Sequence, residues 1–441
     1  MKRFIILCSS LALLLAGSML VANAATTNAI SAGQIVPGSI TAPGQTNFYS
    51  FTAASNDVIY LTVLKTNGPG NSPYLYLYDP AGVVVTEGNA NTIVAGTDNL
   101  RLAMTGTYTV GVIDNGHNES FDYVVTVNLA KGGVNQRDAD DGPEAITPGQ
   151  FSHGHISPSD YDSFTFTAAS NDVIYLTVLK TNGVGSLFLY LYDPSGAVLA
   201  EGSANSFFAG VENWRLAQTG TYTVGVIERF HTQSFDYIVN VLKIPGPNAA
   251  DPGDGLYLLS PVESRSAHLS AGDLDAFGIM AIAGDTIDVG IRITSGSGRN
   301  PVLTVYGPDG NVLRTTNGPT KARIRLQCVS QTGPYTVVIH DDGHNEAYDY
   351  QLTFDQYPVV PPSDGLNQYL AICDCTNRVV VRWETSAQPL GFTLESSPVV
   401  DGTVPPGWTP VLAPFQVIAD RFYFTEAPTN ATKFYRLKKP N

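Results

Sequence analysis

Residues 138–144 carry four carboxylates: Asp138, Asp140, Asp141 and Glu144. Like charges this close repel unless water or a hard cation takes them up, and calcium favours oxygen ligands offered by a turn-forming segment. A solvated, extended linker is the alternative, since Gly142 and Pro143 sit among them. Asp251 and Asp254 repeat the pattern more sparsely. A second oxygen-rich segment, Asp114-Asn115-Gly116-His117-Asn118-Glu119, recurs as Asp341-Asp342-Gly343-His344-Asn345-Glu346. It could circle a cation, but Asn, Asp and Gly also make turns without one. Its counterpart Glu228-Arg229-Phe230-His231 has lost most of the oxygens, which favours the turn. His153 and His155 would face one way on a strand and could chelate zinc or copper, yet no third ligand stands near in sequence.

The other chemistry on offer is contact through aromatic rings. If Leu75 and Leu77 point inward, then Tyr74, Tyr76 and Tyr78 point outward. The corresponding segment further on gives Phe188, Tyr190 and Tyr192. A preceding strand adds Tyr60 and Tyr175 in the same outward phase. A third such segment has Val302, Thr304, Tyr306 and Asp288 instead. Tyrosine combines apolar area with a hydroxyl, which suits sugars or extended protein. The alternative is that these residues are good strand formers, or that the faces pack against neighbouring modules.

Catalytic patterns are missing from the sequence. It has no H-E-x-x-H, no G-x-S-x-G, no Walker loop and no dinucleotide glycine pattern. We therefore expect no enzyme. The net charge of −15, from 24 basic and 39 acidic residues, makes nucleic acid and anionic membrane poor partners. Cys328, Cys373 and Cys375 allow one intramolecular disulfide at most, with Cys328 pairing to either of the others. Cys373 and Cys375 are too close to bridge each other.

The chain that carries these residues begins with Lys2 and Arg3, an uncharged apolar run over residues 4–21, and the small-residue pattern Ala22-Asn23-Ala24. This is an export signal, and cleavage would leave a mature chain starting at Ala25 with no membrane span. Cys8 lacks the small residues that a lipid anchor needs before its cysteine. The protein is expected to be secreted: extracellular, at the cell surface or periplasmic.

Repetition is the strongest internal signal. Residues 51–68 and 166–183 both read FTAASNDVIYLTVLKTNG, and residues 105–113 and 219–227 both read TGTYTVGVI. A more diverged third copy keeps Ala283-Gly284-Asp285-Thr286-Ile287 and Thr332-Gly333-Pro334-Tyr335-Thr336-Val337. A period of about 115 residues suits whole domains rather than solenoid turns. Ile59, Leu61 and Val63 alternate, as do Ile287, Val289 and Ile291, which is the signature of strands with one buried face. Asp79-Pro80-Ala81-Gly82, Asp193-Pro194-Ser195-Gly196 and Gly307-Pro308-Asp309-Gly310 read as hairpin turns.

We therefore expect an all-β chain of tandem antiparallel β-sandwiches. The boundaries are a signal at 1–24, a first module at 25–131, linker and second module at 132–245, linker and third module at 246–357, and a linker with a smaller C-terminal β-domain at 358–441.

The three copies resemble the bacterial pre-peptidase C-terminal domain family. The residues that carry this are Asp160-Tyr161-Asp162-Ser163-Phe164 and Asp273-Leu274-Asp275-Ala276-Phe277, the Leu-x-Leu-Tyr-Asp-Pro-x-Gly hairpin, and the Thr-Gly-x-Tyr-Thr-Val strand with Phe-Asp-Tyr or Tyr-Asp-Tyr downstream. The first copy departs at the opening, with Thr46-Asn47-Phe48-Tyr49. The C-terminal segment looks like a fibronectin-like module of secreted bacterial proteins. The resemblance implies a jelly-roll-like sandwich, similar to clostridial collagen-binding modules, with calcium held around the N-terminal linker. The expected function is non-catalytic binding or adhesion to polysaccharide or extracellular protein. A structural spacer in an extracellular assembly is the alternative, and an accessory to a hydrolase comes third.

Overall fold

The computed structural model of the chain describes residues 27–438, except 70–72, 90–92, 132–134, 139–140, 204–205, 252–253, 261–262, 297–299, 358–370, 376–377, 385–391, 399–406, 413–414, 419–420 and 427–432. The expected export signal over residues 1–24 and Asp140 lie outside the described residues. No helix occurs among the described residues; the chain is all-β.

The first module sets the pattern. Its strands are β1 (Thr27–Ala29), β2 (Ile35–Ile40), β3 (Thr46–Ala53), β4 (Val58–Asn67), β5 (Pro73–Tyr78), β6 (Val84–Asn89), β7 (Val94–Arg101), β8 (Gly106–Asp114) and β9 (Phe121–Lys131). A front sheet runs β1-β3-β8-β5-β6 and a back sheet runs β2-β9-β4-β7. All pairings are antiparallel except β1 with β3. Alternate residues of both sheets close one core, with Ile59, Leu61 and Val63 facing Leu75, Leu77, Val110 and Val112. Their side chains alternate because the strand period is two.

The second and third modules repeat both sheets in the same order. In the second, strands Asp162–Ala168, Gly220–Glu228, Leu187–Tyr192 and Val198–Gly202 form the front, and Phe151–Ile156, Phe235–Ile244, Val173–Gly183 and Phe208–Arg215 form the back. In the third, the front centres on Gly333–Asp341 and the back on Thr286–Gly296. The linkers stand in for β1 through single parallel bridges, Ala145 to Thr165 and Leu258 to Gly278. The C-terminal β-domain has a four-stranded and a three-stranded sheet around Val381, Trp383, Leu394 and Phe424. Cys328 is disulfide-bonded; the side chains of Cys373 and Cys375 lie outside the described residues.

The repeated motifs have structural causes. In Thr-Gly-x-Tyr, the tyrosine hydroxyl reaches back four residues to a carbonyl: Tyr108 to Met104, Tyr222 to Gln218 and Tyr335 to Gln331, at 2.8, 2.6 and 2.7 Å. The glycine has φ near 150° and lies against the proline of the hairpin turn, where a Cβ on Gly106 would meet Pro80 at 2.8 Å. The turn's aspartate caps the hairpin, with Asp79 Oδ1 accepting from the amides of Ala81 and Val83, both at 2.9 Å.

The modules stack back sheet to front sheet. At the first joint, Val58, Tyr60 and Ala130 of module one close a core with Tyr161, Tyr190, Tyr192 and Ile227 of module two. At the second, Val173, Tyr175, Leu242 and Ile244 meet Leu274, Ala276, Tyr306 and Val338. Polar contacts fix the register in both. Tyr192 donates to Asn99 Oδ1 and Tyr306 to Asn213 Oδ1. Arg101 reaches the Ser195 carbonyl at 3.0 Å and Arg215 the Asp309 carbonyl at 3.2 Å, so each arginine grips the next module's hairpin turn. Asn99 and Asn213 share a φ of 53°, which asparagine tolerates, and occupy a β-bulge that turns them toward the neighbour.

Replacing Tyr222 by Phe strands the Gln218 carbonyl without its buried donor. Denaturant unfolding should then show a loss of about 1–2 kcal/mol in the second module's transition, with the other modules unchanged.

Candidate functional site

The aromatic face divides in two. Tyr60, Tyr175, Tyr190 and Tyr192 are buried, with exposures of 1, 2, 5 and 0%. They are joint residues and present no open surface to a ligand, which corrects the expectation of a continuous outward aromatic face. The cause is the stacking: outward from one sandwich means inward at the contact with the next. Tyr60 packs at 5.2 Å on Tyr161 and 6.4 Å on Tyr190, and shares a 2.7 Å hydrogen bond with His231 Nε2. Tyr175 lies beside His340 and His344, at 5.3 and 6.1 Å. Burial drives the ionisation of both tyrosines far above the ordinary range, so they stay neutral hydrogen-bonding groups. Phe188 lies partly buried at the joint's edge, under the Arg229 guanidinium at 5.5 Å. Tyr74, Tyr76 and Tyr78 remain half-buried on a front sheet that no other described module covers.

The carboxylates converge in a way the linker alone does not reveal. In module three, Asp251, Asp273 and Asp275 bring ligand oxygens within 4.8 Å of one another. Asp254 follows Asp251 in a turn, its amide 3.2 Å from the Asp251 carbonyl, and its Oδ1 accepts the His268 amide at 3.0 Å. Asp275 begins the strand that carries Phe277 and Ile279 into the core, so the same phase places its carboxylate at the core's rim. There Tyr350 donates to it at 2.6 Å. Burial first, then the neighbouring carboxylates, raises Asp275 well above the usual range and pushes Asp273 up to about 7.

Module two is built alike. Asp138 and Asp141 repeat the linker turn, and Asp141 Oδ1 accepts the His155 amide at 3.1 Å. Asp160 and Asp162 repeat the strand pair, with Tyr237 donating to Asp162 at 2.7 Å. Burial and the carboxylates of Asp138 and Asp141 push Asp160 up to about 7, and burial and the carboxylates of Asp160 and Asp141 raise Asp162 well above the usual range. Glu144 lies apart: its carbonyl accepts from the Thr165 amide at 2.7 Å and it lines a cavity of about 240 Å³ at the first joint.

Module one supplies an internal comparison. Gln45 and Asn47 stand where the other modules have the two strand aspartates. Asn47 donates to the Tyr123 hydroxyl at 2.9 Å and accepts from Gln45 at 2.8 Å. Neutral amides satisfy this rim by themselves. Carboxylates in the same place need protons or positive charge beside them: in module two Arg137 lies 3.8 Å from Asp141, and the all-oxygen character of both clusters also suits calcium. The D-x-D pairs were visible in the sequence; their meeting with the linker, about 20 residues away, was not.

The remaining candidates have ordinary roles. Asp114 Oδ2 accepts from the amides of Asn118 and Glu119, at 2.9 and 3.1 Å, and Asp341 does the same for Gly343 and Asn345. Glu228 serves the second module's turn from its Oε2. These carboxylates cap hairpins. His155 pairs with Asp236 across the back sheet at 2.7 Å, and Gly154 beside it leaves room for the Tyr237 ring.

No family model and no curated protein matches the chain. Solved structures do. The pre-peptidase C-terminal domain of a collagenase from Bacillus anthracis matches at 23% identity, over 23% of this chain and 95% of that one, with a TM-score of 0.21. The tail fiber protein gp63.1 from an E. coli phage matches at 11% identity, over 51% of this chain and 42% of that one, with a TM-score of 0.18.

Two outcomes are expected from the carboxylate clusters. Calcium at ~100 times its Kd should add about 2.7 kcal/mol per site, read as a rise of several degrees in Tm, and Asp162→Asn with Asp275→Asn should abolish the rise. Folded Asp160 and Asp273 keep protons, up to about pH 7, that the unfolded chain releases near the ordinary value of 3.8. The metal-free fold therefore loses stability as pH rises through that window. The calcium increment should be larger at pH 8 than at pH 5, and an equal increment at both would contradict the assignment.

Proposed function

We propose that this chain is an exported, non-catalytic spacer: a rigid stack of three β-sandwiches with a C-terminal β-domain, meeting its extracellular partner through the open front sheet of module one. The observation that carries this reading is the burial of Tyr60, Tyr175, Tyr190 and Tyr192 between modules. Rings that would serve a ligand on separate beads instead join the beads to each other. The signal pattern before Ala25 and the absence of catalytic motifs in the sequence support export and a non-enzymatic role.

Calcium at the Asp138 and Asp251 clusters fits the same role. Each cluster ties a linker to the front sheet of the module that follows, so a bound ion would stiffen the passage between modules. The pre-peptidase resemblance points the same way.

Adhesion is the second reading, favoured by the half-exposed Tyr74, Tyr76 and Tyr78. Polysaccharide and extracellular protein remain its candidate partners.

X-ray scattering of the mature chain tests the spacer. Tyr60→Ala with Tyr175→Ala should remove roughly 2–4 kcal/mol of packing at each joint and increase the radius of gyration, leaving each module folded. A wild-type chain already as extended as the variant would sink the spacer reading. Retention on insoluble polysaccharide or collagen that Tyr76→Ala abolishes would favour adhesion.

A further inference from the structure

Each joint is a plug seated in a socket. The socket is a back sheet with a central tyrosine, Tyr60 or Tyr175, and a bulged edge strand presenting Asn99 and Arg101, or Asn213 and Arg215. The plug is the next front sheet: a tyrosine that donates to the asparagine, a hairpin turn gripped by the arginine, and a hairpin histidine over the socket tyrosine. Both joints use these devices at the same sequence positions, while the socket tyrosine's hydrogen bond goes to the hairpin His231 at the first joint and to the strand's His340 at the second.

Module one carries the tyrosine, hairpin histidine and turn of a plug that no described module receives, with Thr46 where the seated plugs have Tyr161 and Leu274. Tyr78 corresponds to Tyr192 and Tyr306, His117 to His231 and His344, and the Asp79-Pro80-Ala81-Gly82 turn to the gripped turns. His117 holds the same left-handed conformation, with φ of 54° against 61° and 54°. The ring ladder already has its docked geometry. Tyr74, Tyr76 and Tyr78 are spaced 5.0 and 6.1 Å apart at 52° and 33°. Phe188, Tyr190 and Tyr192, seated in a socket, are spaced 5.2 and 5.9 Å apart at 60° and 32°. A surface held in its bound shape loses little entropy on docking.

The opposite end of the stack is closed. On the third back sheet, Asp288 replaces the socket tyrosine and takes both nitrogens of a fork from Arg323, each at 2.7 Å. The edge strand Lys321–Leu326 pairs without the bulge. A second copy of the chain thus offers no free socket, because its tyrosine sockets are filled from within and its last back sheet is charged.

We propose that the front sheet of module one docks into the tyrosine-and-bulge back sheet of a like β-sandwich module on another polypeptide, making this chain the end piece of a longer stack. This rests on the spacer reading and names the partner of its open end.

The probe is the full-length chain with its second joint forced open by Ala276→Arg and Val338→Arg. Both residues face the joint and leave the third module's own core untouched. Adding Tyr76→Ala and Tyr78→Ala removes the probe's own plug, so it carries a free Tyr175 socket only. Sedimentation of labelled wild-type chain should show 1:1 binding to this probe and no wild-type self-association. Tyr78→Ala in the wild-type partner should weaken binding by about tenfold or more. Scattering shows whether the joints are closed in the wild type and open in the probe. Closed wild-type joints with no binding to the opened probe would overturn the docking proposal alone. Flexible wild-type joints would overturn the spacer reading beneath it. A wild-type chain that dimerises through Tyr76 would show plug-to-plug packing and also overturn the proposal.

Discussion

The contact between a tyrosine on one module's back sheet and the aromatic ladder on the next module's front sheet organises everything else. A β-sandwich buries one side of each of its sheets and leaves two outer faces. In a single module those faces meet water. Here one outer face from each side of a joint closes on the other, with hydroxyls directed to asparagine and histidine so that no tyrosine is buried without a partner at Tyr60, Tyr175, Tyr192 or Tyr306. The stack inherits a direction from this asymmetry, because back and front carry different chemistry.

The carboxylate clusters show a second constraint, the cost of like charges at the edge of an apolar core. Module one solves it with Gln45 and Asn47: Gln45 donates to Asn47 Oδ1, and Asn47 donates to the Ser39 carbonyl and the Tyr123 hydroxyl. Modules two and three keep aspartates, whose ionisation is opposed by burial and by one another. The difference falls along the chain as the linkers do: the two clusters occur where a linker joins a preceding module to the next.

Much of this was legible in the residues. The identical segments at 51–68 and 166–183, the alternation of Ile59, Leu61 and Val63, and the Asp-Pro-x-Gly turns led to tandem all-β sandwiches, and the chain is all-β with separate two-sheet units. The period-2 pattern put Tyr60, Tyr74, Tyr76, Tyr78, Tyr175, Tyr190 and Tyr192 on the outward phase of their strands, and none of them belongs to its own module's core. It could not say which outer face meets a neighbour, because Tyr60 and Tyr76 have the same local pattern and differ only in what the chain brings against them. Asp160 and Asp162 escaped notice as ligands for a similar reason. The linker acids and the strand acids are far apart in sequence and meet only when the linker pairs beside the front sheet.

The letter-for-letter identity of two strands carries a hazard for biogenesis. The segment VIYLTVLKTNG pairs with Phe121–Lys131 in module one and with Phe235–Ile244 in module two, in matching register from Ile59 and Ile174 onward. During synthesis the two copies are interchangeable partners, so a strand from one module can complete the sheet of its neighbour and trap a misassembled pair. The partner strands are less alike than the repeat itself: Val124 faces Leu64 where Ile238 faces Leu179, and Leu129 faces Ile59 where Lys243 faces Ile174. That divergence, rather than the repeated strand, is where correct and crossed pairings differ in side-chain contacts, and vectorial folding of the first module before the second emerges would favour the correct one.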